Sequence, residues 1–234
     1  AVHRVSGEGK LSLLGTLIPV RPEGFVMRQE DGTQHHSEGL PWWLFDMRPQ
    51  GFLGRAYATR HAAQLGLPQR LSEWNDTHAL RALLAHGHDA IGNLLLGDHA
   101  REQFLSDTTA PIAMADKAAT YHHLAEEAAR GDLPGSSAGG EQPKFTAYAE
   151  TPAGPRHVLV KFTSADDNPI TERWRDLLLA EHLALETLRD TGIPAVTTRL
   201  IDVGAQRFLE VERFDREGEA GRHGVFSLAA LDAE

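Results

Sequence analysis

The chain has 234 residues, enough for one large domain or two small ones, and its 41% hydrophobic and 24% charged residues suit a globular protein with a substantial core. The absence of cysteine excludes disulfides, thiolate catalysis and Cys-ligated zinc, and a net charge of −10 with a pI near 5.7 argues against a broad nucleic-acid-binding face in this part. No apolar run approaches the roughly 20 residues that span a bilayer, and the opening AVHRVSGEGK has no signal-peptide character, so a cytoplasmic protein without membrane contact is expected. The missing initiator Met, and an FSLAALDAE terminus that stops in the first turns of a helix, predict a fragment.

Residues 9–30 predict a hairpin or meander: LSLLGTLIPV and FVMRQ are apolar segments, with turn chemistry at Arg21-Pro22-Glu23-Gly24 and Asp31-Gly32. The stretch 40–54 (LPWWLFDMRPQGFLG) is aromatic-rich and broken by Pro41 and Pro49. Its Trp42-Trp43 pair is expected in a core rather than as a partner anchor. Helical patterns follow at 55–65 and 76–86, the second with Asp76 or Thr77 as N-cap and Gly87 as stop. Ile91 to Leu96 predicts a short strand, and Ala-rich 114–130 a helix closed by Gly131.

From Asp132 the texture changes. DLPGSSAGG is made of turn formers; an alternating strand at 144–149, the turn TPAGP and a strand at 156–162 follow. After Pro169 a helix runs to about Asp190, with Leu177, Leu178, Ala180, His182, Leu183 and Leu185 as its apolar stripe and Thr191-Gly192-Ile193-Pro194 as its stop. Segments at 196–203 and 206–213 predict a further hairpin. The expected class is α+β, with an N-terminal α+β subdomain over residues 1–130 and a lobe over 131–234.

Within that lobe, Ser136-Ser137-Ala138-Gly139-Gly140-Glu141-Gln142-Pro143-Lys144 is a loop whose small residues let backbone N–H groups approach phosphate oxygens. A plain surface turn is the alternative, and the pattern is not that of a Walker-type P-loop. The chain contains only four lysines, Lys10, Lys117, Lys144 and Lys161, and two of them flank one hairpin. Lys161 closes HVLVK; a cation there needs an anionic partner unless the strand surfaces at that point. The thirteen histidines include His35-His36, His122-His123 and His86-Gly87-His88, without H-E-x-x-H or a third ligand at useful spacing, so surface histidines and no metal site are expected. Asp166-Asp167 suits a solvated loop.

Glycine loop, strand, turn, strand with Lys, long helix and two strands is the order of a protein-kinase N-terminal lobe. More specifically, SSAGGEQPKF, HVLVKF, LLLAEHLAL and FLEVERFDR resemble successive signatures of the HipA kinase family, over roughly residues 131–216. GLPWWLFDMRPQGFLGR and HDAIGNLLLGD are similar to that family's N-terminal subdomain, most of all in its YjjJ-like branch, whose members begin with an additional DNA-binding segment. The resemblance implies a kinase small lobe and ATP-dependent phosphorylation of a protein serine by a toxin of a toxin–antitoxin module. Known members modify aminoacyl-tRNA synthetases, an antitoxin partner is implied, and DNA binding would come only through a segment outside this chain or through a partner.

Carried onto these residues, the resemblance makes Ser137, Ala138, Gly139, Gly140 and Lys161 ATP phosphate contacts and Glu212 and Phe214 the hinge that meets adenine. Ser136 becomes the autophosphorylated serine, with Ser137 as the alternative because the loop is one residue longer than the usual pattern. The carboxylate partner of Lys161 stays open between Glu172, beside Arg173, and Glu181 deeper in the helix. No catalytic residue is assigned, since no H-R-D-like or D-G-x-x-K-N-like motif follows and Asp215 and Asp232 lie in the wrong context; Mg²⁺ would be held mainly by a catalytic lobe absent from this chain. Taken alone, the chain should bind nucleotide weakly and transfer no phosphate. A non-catalytic binding or regulatory module and a small-molecule kinase are the rival readings.

Overall fold

The computed structural model describes residues 1–20, 24–133 and 136–232; the turn expected at Arg21-Pro22-Glu23 lies outside them. The first sheet is antiparallel and ordered β4-β3-β2-β1-β5, from β1 (Val2–Val5), β2 (Leu11–Pro19), β3 (Phe25–Gln29), β4 (Gln34–Ser37) and β5 (Leu94–Leu96). The expected meander is therefore there, with Leu17 opposite Met27. β1 and β4 carry too few apolar residues to announce themselves, and β1 is a central strand only because β5 returns to it from far along the chain.

Between β4 and β5, a 3-10 turn at Trp42–Met47 leads into α1 (Gly51–His61) and α2 (Asp76–His86). Leu44 and Met47 are buried with Leu83, Ala90 and Leu96, and Trp43 packs against this cluster. The N-cap of α2 is Asn75, not Asp76 or Thr77. The Asn75 side chain accepts from the His78 amide at 3.0 Å while the Asn75 amide donates to His78 Nδ1 at 3.2 Å, a reciprocal cap. Asp76 is already helical, and its carboxylate instead accepts from the Leu40 amide at 2.7 Å. His86 is half-buried rather than a free surface histidine: its Nδ1 lies 2.8 Å from the Tyr57 hydroxyl.

α3 (Gly97–Ser106) follows β5 directly, a helix the sequence pattern did not suggest. α4 (Lys117–Arg130) ends at Gly131, whose φ of 78° is the left-handed cap conformation. A side chain there would also collide with the Ala56 carbonyl.

The second sheet is antiparallel and ordered β6-β7-β9-β8, from β6 (Lys144–Thr151), β7 (Gly154–Phe162), β8 (Thr198–Val203) and β9 (Gln206–Glu212), with α5 (Pro169–Asp190) joining β7 to β8. The β6–β7 hairpin pairs Lys144 with Lys161 and turns tightly at Gly154, where φ is 95°. Val158, Val160 and Phe162 alternate onto one face and meet Tyr121, Ala125 and Ala128 of α4, with Phe145 and Phe208. α4 thus belongs to this sheet's core although it precedes residue 131. Leu159 and Lys161 take the opposite face.

Asn168 caps α5 by accepting from the Ile170 and Thr171 amides, each at 3.0 Å. The apolar stripe expected on this helix is not buried as a stripe: Leu178 is fully covered, while Leu177 and Leu183 are 49% and 54% exposed. The short pair β10 (Arg216–Glu217) and β11 (Gly221–Arg222) and the helix α6 (Leu228–Asp232) complete the fold. The whole is a mixed α/β protein with antiparallel sheets, and among the described residues no helix is long and apolar enough to cross a membrane.

Candidate functional site

Lys161 sits at the end of β7 with its ammonium 2.6 and 2.8 Å from the two Glu181 oxygens, a two-point ion pair that is only partly exposed. This resolves the open partner. Glu181 shares a face of α5 with buried Leu178 one turn earlier, whereas Glu172 and Arg173 are exposed at the first turn and Glu172 pairs with Arg175. The cation that ends this apolar strand thus has its anionic partner and is still reachable.

The glycine loop is held by Lys144, the residue opposite Lys161 in the hairpin. Gly139 and Gly140 are exposed, and their carbonyls both accept from the Lys144 ammonium, at 2.5 and 3.0 Å. Lys144 is 2% exposed. Burial, with the nearby charge of Lys161 adding, pushes its ammonium down to about 8. The sequence had shown two lysines flanking a hairpin; the register sets them opposite each other, with the Lys144 ammonium on the loop and the Lys161 ammonium on Glu181.

Beside the loop opens a cavity of about 460 Å³. Leu159, Val196 and Val211 give it apolar walls, Glu212 and Phe214 form one edge, and Ala138 and Gly139 another. The Glu212 amide already donates to the Thr197 carbonyl at 3.0 Å, so that N–H is not free for a ligand. Phe45, Asp46 and Gln50 also line this cavity, from the first subdomain, which the sequence did not reveal.

The two loop serines differ. The Ser137 hydroxyl is buried, donating to the Asp46 carbonyl at 3.1 Å and accepting from the Ile91 amide at 3.0 Å. Ser136 is partly exposed and lines a second cavity of about 400 Å³, whose walls include His157 and Arg213.

The VERFDR segment is more than a polar strand end. Arg213 donates to both oxygens of Asp89 (2.7 and 2.9 Å) and to both of Asp215 (2.9 and 2.8 Å), and Arg216 reaches the same two carboxylates at 2.9 and 2.6 Å. Burial alone would raise the carboxyls of Asp89 and Asp215, but the two guanidiniums hold both below the usual range. Asp215 is thereby committed to structure. Among the described residues, no group of three or more His, Asp or Glu side chains is arranged to hold a metal ion.

Residues 136–233 match the model of the HipA-like C-terminal domain, and residues 1–105 match the YjjJ-like toxin, middle domain. Together the two matches take in most of the chain, and both are to models of HipA-like and YjjJ-like proteins. Over 236 residues the chain is 42% identical to Toxin YjjJ of Escherichia coli (strain K12); all of the chain is covered, and it spans 53% of that protein's length.

Proposed function

We propose that residues 131–232 are the nucleotide-binding small lobe of a HipA-like serine/threonine protein kinase, acting in the cytoplasm as a toxin with an antitoxin partner. The observations that carry this reading are the Lys161–Glu181 pair on the strand facing Lys144, whose ammonium holds the glycine loop, and an apolar cavity edged by Glu212 and Phe214 and by Ala138 and Gly139 of that loop. The cavity lies within the size range of small-molecule sites, and its flat apolar walls suit a purine. The phosphates of ATP would lie under Ala138, Gly139 and Gly140, against Lys161 and Lys144, while Mg²⁺ would be coordinated mainly by a catalytic lobe outside this chain. The acceptor would be a protein serine, with an aminoacyl-tRNA synthetase suggested by the family.

The burial of Ser137 supports Ser136 as the serine that the kinase modifies on itself. A phosphate there would carry about −1.5 to −2 charges and repel the nucleotide phosphates. The test is to incubate the full-length protein with ATP–Mg²⁺ and a panel of proteins and small alcohols. Phosphate on protein serines and on Ser136 is expected by mass spectrometry. Phosphate on a small alcohol alone would favour the small-molecule kinase, and no transfer at all would favour a binding module.

Lys144 gives a pH signature. Its folded-state pKa near 8 lies below the free value of about 10.4. With no anion bound, its contribution to stability is therefore fully present only above about pH 10.4 and is lost as pH falls through about 8. A phosphate beside it favours the charged form and raises the pKa. ATP binding at about pH 8.5 should then take up protons. Calorimetry in buffers of unequal protonation enthalpy should show this uptake, and Lys144→Met should remove it.

A further inference from the structure

The glycine loop is held from outside its own lobe. Ser137 is tied through its hydroxyl to the Asp46 carbonyl and the Ile91 amide. Three residues later, the Gly140 carbonyl accepts from the Phe52 amide at 3.0 Å. That bond exists because residue 51 is glycine: its φ is +58°, and a Cβ on it would overlap the Gly140 carbonyl oxygen. Gln50 packs against Gly139, where a Cβ would stand 3.4 Å from the Gln50 side-chain amide carbon. Arg55 forms an exposed ion pair with Glu141, a contact worth little by itself. From the other side, Lys144 holds the Gly139 and Gly140 carbonyls.

We infer that residues 46–55 form a latch by which the first subdomain sets the phosphate-binding shape of the glycine loop, with Ser137 and Gly51 as positioning residues. The inference rests on the nucleotide reading above and adds to it a control point outside the lobe. A loop rich in glycine is conformationally free. Fixed at Ser137 and at Gly140, it presents the amides between them in one arrangement, so a phosphate does not have to order them on arrival. The two serines then have separate work: Ser137 holds the loop, and Ser136 stays available beside it. Asp46 and Gln50 of the latch line the base cavity as well, but Ser137 and Gly51 do not, and its walls Leu159, Val196 and Val211 lie on the second sheet and the segment leading into β8, so changes at Ser137 and Gly51 should fall mainly on the phosphates.

The test uses the full-length protein and two ligands, ATP and adenosine, with Ser137→Ala and Gly51→Ala. Each variant should bind ATP about tenfold more weakly, the scale of one lost net hydrogen bond, while adenosine affinity stays within about twofold. Adenosine binding also shows that the cavity is intact in each variant. Hydrogen exchange supplies a readout that needs no nucleotide: the Ile91 and Phe52 amides, which donate to the Ser137 hydroxyl and the Gly140 carbonyl, should be protected in the wild type and exchange faster in both variants. Unchanged protection, unchanged ATP affinity, or an equal loss of ATP and adenosine would overturn the latch. A wild-type protein that binds neither ligand would contradict the nucleotide reading instead, and the exchange rates would still decide whether the latch exists.

Discussion

Lys161→Ala in the full-length protein is expected to slow phosphotransfer by about 10²- to 10³-fold, the scale of losing one preorganised charge partner in a transition state. The side chain reaches out from β7 and is held at both oxygens of Glu181, so its ammonium is positioned before any ligand arrives. Removing it takes a cation from the phosphates and also leaves the Glu181 carboxylate facing them, which repels. Lys161→Arg should not rescue, because a planar fork cannot occupy the place of a compact ammonium between carboxylate and phosphate. Glu181→Gln should cost less, since Lys161 keeps its charge and loses only its anchor. Single-turnover transfer from labelled ATP measures all three, with the thermal midpoint confirming that each variant is folded. Near wild-type transfer by Lys161→Ala would remove the strand lysine from the account.

The largest expected loss of stability comes from a pair that has nothing to do with nucleotide. Lys117, 3% exposed, donates to Glu210 at 2.5 Å, and the Tyr121 hydroxyl donates to the same oxygen at 2.6 Å. The pair fastens α4 to the middle of the second sheet. Lys117→Ala strands the Glu210 carboxylate in the core and should destabilise by about 3–5 kcal/mol. The double change Lys117→Met with Glu210→Gln should recover most of this, because it removes both charges and leaves Tyr121 an acceptor. Denaturant titration of the three proteins checks the order. Equal stabilities for the single and double variants would mean that the buried charge is not the cause.

The second sheet was legible because its signals are local. Alternation in 144–149 and 156–162, the TPAGP turn, and the Pro at the start of α5 are each written within a few residues. Lys161 could be singled out for a similar reason, as a cation ending an apolar run. Glu181 could not be chosen over Glu172, because the choice depends on which face of α5 meets β7. That is a tertiary fact, and an apolar stripe with Leu177 and Leu183 exposed points the wrong way. Asp89 joins Arg213 across 124 positions, and Asp46 and Gly51 reach the loop across the boundary between subdomains. Pairings of that range leave no periodicity in the sequence. The Gly51 requirement was hidden for a further reason: a glycine at the start of a helix has many ordinary explanations.

The most direct measurement of the central claim is a structure of the full-length protein with a non-hydrolysable ATP analogue and Mg²⁺. The account predicts the base between Leu159, Val196 and Val211, against the Glu212–Phe214 edge, with phosphate oxygens about 3 Å from the Lys161 ammonium and from the amides of residues 138–140. A nucleotide bound elsewhere, or bound there with its phosphates directed away from Lys161, would contradict it.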